Sequence, residues 1–145
     1  MGGAASRALR LTVVTRRRID PGSGPLSLKR ALGLLAYPAS ELGEALPTVR
    51  SAVVFTLEEF AERHPGGAVE IRIPPFGAVQ CMGGPRHTRG TPPNVIEMDW
   101  ATWIRLAVGQ VAWADALASG KATASGSRAD LSAVLPLDIP LPEEG

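Results

Sequence analysis

Three side chains able to bind or catalyse stand within four positions of one another: Arg86, His87 and Arg89. They belong to the run Pro-Arg-His-Thr-Arg-Gly-Thr-Pro-Pro-Asn over residues 85–94. Guanidinium donors match the paired oxygens of a carboxylate or phosphate. A histidine adds a donor whose charge changes near neutral pH. Thr88, Thr91 and Asn94 complete the polar set. The chemistry these residue types suggest is anion recognition at a polar head group. Gly90, Pro92 and Pro93 mark the stretch as a loop, where a rigid scaffold commonly holds binding residues. The competing reading is a stiff surface loop whose arginines pair with Glu97, Glu70 or Asp130.

Catalysis and metal binding are harder to assemble. Cys81 with His87 as base is the one nucleophile–base pair on offer. Cys81, however, lies in an apolar stretch, where cysteine usually serves as a small hydrophobe. Zinc needs three or four ligands at a recognisable spacing. Here Cys81 and His87 have only Glu97 as a third, and the other histidine, His64, stands before Pro65-Gly66. No catalytic residue, metal or cofactor is expected.

The elements that would hold the loop can be read from periodicity and punctuation. Leu28, Ala31, Leu32 and Leu35 share one face of a helix over 27–37, ended by Pro38. The strongest helical pattern runs over 48–63, with Val49, Ala52, Val53, Thr56, Leu57, Phe60 and Ala61 on one stripe. Arg50, Glu58, Glu59 and Glu62 fall mostly off it, and Pro65-Gly66-Gly67 stops it. Val69, Ile71 and Ile73 alternate with Glu70 and Arg72, a strand with one wet face. Strands also follow over 76–82 and 94–98. Asp99 is placed to cap a helix that Gly109 closes. A short helix over 111–118, a strand over 121–125 and a helical turn or two over 129–135 complete the chain. The pattern is α+β, with a mainly antiparallel sheet and helices packed on one face. Residues 1–25 read as a disordered basic tail and linker, 26–137 as a single domain, and 138–145 as a flexible tail. Val14 reads as the point where translation begins.

Composition narrows the function. The 145 residues make about one domain, large enough to bury a core without disulfides. Cys81 is the sole cysteine, which suits a reducing cytoplasm. No apolar run reaches the roughly 18 residues of a membrane span. Five arginines and no acid fall within residues 1–18, so residues 19–145 carry a net charge of −4. A body of that sign is a poor partner for nucleic acid. Arg16-Arg17-Arg18 reads as solvated tail.

A resemblance adds to this. Asp99, Thr102, Gly109, Gly120-Lys121, Gly126 and the stretch Leu131 to Leu135 follow the order seen at the end of sterol carrier protein domains. With Pro74-Pro75-Phe76, Ala78-Val79-Gln80, His87-Thr-Arg-Gly-Thr-Pro-Pro-Asn94 and Arg128-Ala-Asp-Leu-Ser132, the chain resembles a bacterial, mainly actinobacterial, branch of sterol-carrier orthologues over residues 46–137. The resemblance implies a curved, roughly five-stranded sheet flanked by helices around an apolar cavity. The ligand it implies is a fatty-acyl, lipid or sterol-like molecule. Such a cavity would draw on Phe76, Val79, Ile96, Trp103, Ile104, Val134 and Leu135, with the 85–94 loop at its mouth. Trp100, Trp103 and Trp113 could line such a cavity, but tryptophans so placed more often simply fill the core. The leading expectation is a non-enzymatic carrier. The alternative is an accessory domain acting in trans with a thiol-dependent isomerase or transferase.

Overall fold

The structure, a computed structural model, describes residues 19–20, 22–84 and 93–143 together with the backbone of Val13–Val14. Its strands are β1 (Val13–Val14), β2 (Val69–Ile73), β3 (Gly77–Cys81), β4 (Val95–Met98) and β5 (Ala122–Ser125). Its helices are α1 (Gly24–Leu32), α2 (Leu46–Arg63), α3 (Trp100–Val108) and α4 (Trp113–Ala118). Two short 3-10 turns, Ala39–Glu41 and Gly43–Ala45, join α1 to α2.

The body of the sheet is four strands in the order β3-β2-β4-β5, with two-residue β1 along the outer edge of β3. The expectation of a mainly antiparallel, five-stranded sheet is corrected: the sheet is mixed and four-stranded in its body. β2 pairs antiparallel with β3, and β4 antiparallel with β5, but β2 and β4 run parallel. The reason lies in Asn94. Its backbone carbonyl accepts a hydrogen bond from Glu70 N, and its side chain reaches Ala68 O. Both tethers start β4 beside the first residues of β2, so the chain skips over β2 instead of pairing with β3.

The register makes one face apolar. Ile71 stands opposite Val79 on one side and Ile96 on the other, and all three are fully buried. Val69, Ile73, Cys81 and Met98 continue that face, since side chains two apart share a side. The other face carries Gln80, Glu97 and Thr123, all exposed. It also carries Arg72, which holds Glu70 in an ion pair at 2.7 Å. This face is wet only in part: Glu70 and Ala78 on it are buried, so the alternation of residues 69–73 marks polarity more than exposure.

Helix α2 covers the apolar face and packs on β3, with α1 and α3 against α2. Being wrapped by several elements, α2 is buried continuously from Ala52 to Glu58. Glu58, expected off the apolar stripe, is thus interior, and its carboxylate accepts the Ile19 N–H at 3.2 Å. Trp103 of α3 is fully buried. It meets Phe60 edge-on at 5.8 Å and donates its indole N–H to Thr56 Oγ1 at 2.8 Å. Thr56 in turn donates to Ala52 O.

Both ends of α3 follow local rules. Asp99 Oδ1 accepts from Thr102 N at 2.8 Å, which satisfies one of the free N–H groups of the first turn. Gly109 closes the helix at φ 84°, a conformation that favours glycine. Helix α1 begins earlier than periodicity suggests, at Gly24. The Asp20 carbonyl gathers Ser23 N and Gly24 N, and Pro25 fits the first turn. It stops at Leu32, leaving residues 33–37 in turns. No helix forms over 129–135. A turn at 132–134 stands there instead, with Leu131 and Leu137 buried on either side. Residues 138–143 run back along the helices. Arg63 donates to Asp138 O and Lys29 to Pro142 O. Among the described residues, no helix is long and apolar enough to cross a membrane.

Candidate functional site

Arg86, His87, Thr88, Arg89 and Thr91 lie outside the described residues; of that set only Asn94 is placed. Asn94 is buried and works as a clamp. Its Nδ2 donates to Ala68 O, and its Oδ1 accepts from Arg128 N, each at 2.9 Å. Gly126 passes so close to the Pro93 carbonyl and the Asn94 side chain that no Cβ fits there. On the other foot of the loop, Gly84 lies against Ala68 and the Arg128 guanidinium. Met82, just before it, takes a left-handed backbone (φ 66°) held by Met82 N to His64 O and Ala68 N to Met82 O. The loop's feet are therefore pinned to the starts of β2 and β4 and to the residues after β5.

The residues expected to line a cavity lie in a packed core. Val79, Ile96, Trp103 and Ile104 have no exposed surface, and Phe76 very little. Val134 and Leu135 are half-buried against that core. Cys81 is fully buried, and its Sγ sits 3.6 Å from Val69 O. Burial pushes its thiol up to about 12, so at neutral pH it is not the thiolate that nucleophilic chemistry requires. Among the described residues, no three of His, Cys, Asp or Glu are grouped to hold a metal.

Concave surface opens elsewhere. A cleft of about 630 Å³ lies at the opposite end of the sheet from the loop. One wall is the chain after α1, Leu35 to Ala39. The facing wall is the first turn of α3, Trp100, Ala101 and Thr102, with Arg105 one turn on. Pro74, just past β2, closes one side, and Val111, Asp115, Ala116, Ser119 and Lys121 close the other. The Trp100 indole N–H donates to Tyr37 O at 3.1 Å and ties the two walls together. Pro74, Asp99 and Lys121 each follow or precede a strand at this one end, next to Ile73, Met98 and Ala122. Four residues of β4 separate them from Asn94, about 13 Å at the usual strand rise. A smaller cleft of about 350 Å³ lies beyond Val111, walled by Leu106, Trp113, Leu135 and Pro136.

The large cleft is apolar at its base and charged at its rim. Trp100 and Ala116 are buried, while Tyr37, also in the lining, is 49 % exposed. Arg105 is half-buried and Lys121 exposed. Asp99 is engaged by the N–H of Thr102. The arrangement is a concave surface that can receive a small molecule and meet a charge on it.

A family model described as "Bacterial SCP ortholog" matches residues 46–137. The chain belongs to this bacterial SCP ortholog family. No curated protein matches it. The SCP-ortholog stretch begins at the first residue of α2 and ends at Leu137. It therefore contains the whole sheet body, α3 and α4, but not α1 or Leu35 to Ala39. The large cleft is built jointly by the SCP-ortholog region and by the segment preceding it.

Apart from Trp100, weighed as a cavity or core residue, the cleft residues were ones sequence reasoning missed. Their one available signal is charge out of place. Arg105 is the sole charged residue in α3, and Lys121 is one of two lysines in the chain.

Proposed function

We propose that this protein is a non-enzymatic binding or carrier domain for a lipid or another small hydrophobic ligand. The observation that carries the reading is the cleft of about 630 Å³ with apolar walls, within the roughly 300–1,000 Å³ typical of small-molecule sites. Membership of the SCP ortholog family supports it. In this reading the ligand's apolar part rests on Tyr37, Pro38, Pro74 and Val111, with buried Trp100 and Ala116 backing them. The core residues Phe76, Val79, Ile96, Trp103 and Ile104 hold the sheet and α3 in the positions that shape the walls.

A second reading keeps the 85–94 loop as a head-group binder through Arg86, His87, Thr88, Arg89, Thr91 and Asn94. It is favoured by the construction of the loop's feet. Asn94 and Gly126 fix one foot, and Arg128 adds a guanidinium at the other that has no ion-pair partner among the described residues. Native mass spectrometry of protein from its own host, with titration by the uncharged dye N-phenyl-1-naphthylamine, tests the main proposal. Saturable dye uptake or a co-purified ligand supports it. A clean apo mass together with no dye binding rejects it.

A further inference from the structure

The geometry points to the α3 cleft as a site for small amphipathic anions, with Arg105 and Lys121 reading the negative group. This rests on the hydrophobic-ligand reading above and deepens it. Three observations carry it. First, the cleft lies at the opposite end of the sheet from the described feet of the 85–94 loop: it opens beyond the C-terminal ends of β2 and β4, and Asn94 stands at their starts. Arg105 and Lys121 are the cations that line the cleft itself.

Second, the local cations are available. Among the described residues, neither Arg105 nor Lys121 has an ion-pair or hydrogen-bond partner through its side chain. Of the two carboxylates at the rim, Asp99 is held by the Thr102 N–H at the start of α3, where the helix dipole further offsets its charge. The lining therefore holds two carboxylates, Asp99 and Asp115, and two cations whose side chains have no partner among the described residues. Third, Arg105 is half-buried on a helix otherwise composed of apolar residues, Ala and Thr. A guanidinium beside an apolar wall is less screened than one in open water, so a carboxylate, sulfonate or phosphate meeting it forms a strong, oriented pair. Tyr37, the exposed aromatic of the lining, offers flat apolar surface to the body of such a molecule.

The test compares two dyes that differ in charge: 1-anilinonaphthalene-8-sulfonate and uncharged N-phenyl-1-naphthylamine. Both are titrated into the full chain and into single variants. The sulfonate is expected to bind the parent protein about tenfold more tightly than the neutral dye. Arg105→Gln removes that advantage and Lys121→Gln reduces it several-fold. Neither changes the affinity for the neutral dye by more than about twofold. Arg105→Lys restores part of the preference, and Ala101→Trp, which fills the cleft, weakens both dyes. Unchanged neutral-dye binding shows that each Gln variant is folded. A sulfonate preference unaffected by Arg105→Gln and Lys121→Gln overturns the inference while leaving the hydrophobic-ligand function standing. So does a preference lost instead in Arg86→Gln or Arg89→Gln. Binding of neither dye to the parent protein removes both.

Discussion

Replacing Asn94 by aspartate changes one atom's chemistry at the base of the loop. In the parent protein, Asn94 Nδ2 donates to Ala68 O while Oδ1 accepts from Arg128 N, both at 2.9 Å, and the residue is 6 % exposed. Asn94→Asp keeps the acceptor toward Arg128 and turns the donor into a second oxygen facing the Ala68 carbonyl. One hydrogen bond is lost, worth about 1 kcal/mol, and a buried charged group loses its solvation without gaining a partner, worth about 1–3 kcal/mol more. The expected destabilisation at neutral pH is therefore about 2–4 kcal/mol.

The sign of its pH dependence follows from the same geometry. Burial and the facing carbonyl both disfavour the ionised form, so the introduced carboxyl titrates higher in the folded than in the unfolded chain. The protonated carboxyl can donate to Ala68 O, as the amide did. The deficit relative to the parent is thus full above the folded pKa and closes as pH falls through it toward the unfolded value of about 3.9. Urea unfolding of both proteins between about pH 4.5 and about pH 8 measures the gap directly, and Asn94→Ala supplies a variant whose deficit stays flat. A gap below about 0.5 kcal/mol at neutral pH, or one that does not narrow on acidification, refutes the clamp assigned to Asn94.

Other outcomes follow from single contacts. Cys81 in native protein should resist iodoacetamide at about pH 8 and react once denaturant unfolds the chain, because its thiol is fully buried and pushed up to about 12. Thr56→Val strands the buried Trp103 N–H and should cost about 1–3 kcal/mol; adding Trp103→Phe should show a favourable coupling of about 1 kcal/mol in a double-mutant cycle of urea midpoints. Asp130 accepts the Ser132 N–H, which lowers its pKa below the ordinary carboxylate value. Its contribution to stability is present above the unfolded pKa and lost as pH falls through the folded one. Carboxyl NMR titration should place its midpoint below that of an unstructured aspartate.

Local signals in the chain were legible and non-local ones were not. Asp99, Gly109 and the alternation Val69-Glu-Ile-Arg-Ile73 act within one helix turn or one strand, so residue type alone marks their place. The parallel pairing of β2 with β4 depends on Asn94 finding Ala68, 26 positions away, and neither residue advertises the other. α1 begins early for a different, local reason: Asp20 and Pro25 open it within a stretch whose Pro and Gly content reads as linker.

The cleft shows a deeper mismatch between motif density and site. Side chains that do chemistry cluster where the chain is wet, so the 85–94 loop draws the eye first. A cleft of the kind proposed for a hydrophobic ligand is made instead from surface that packing leaves uncovered, and here five separate segments supply it. Leu35 to Ala39, Pro74 and Ala116 look like ordinary turn and core residues in the sequence, and only their meeting makes a pocket. What singles out such a site in advance is a charge with no structural use inside an apolar helix. Between Trp100 and Val108 that charge is Arg105. The structure places it on the rim of the cleft, unpaired among the described residues. A guanidinium so placed, in a lining it shares with Asp99 and Asp115, is the group that the proposed anion would meet.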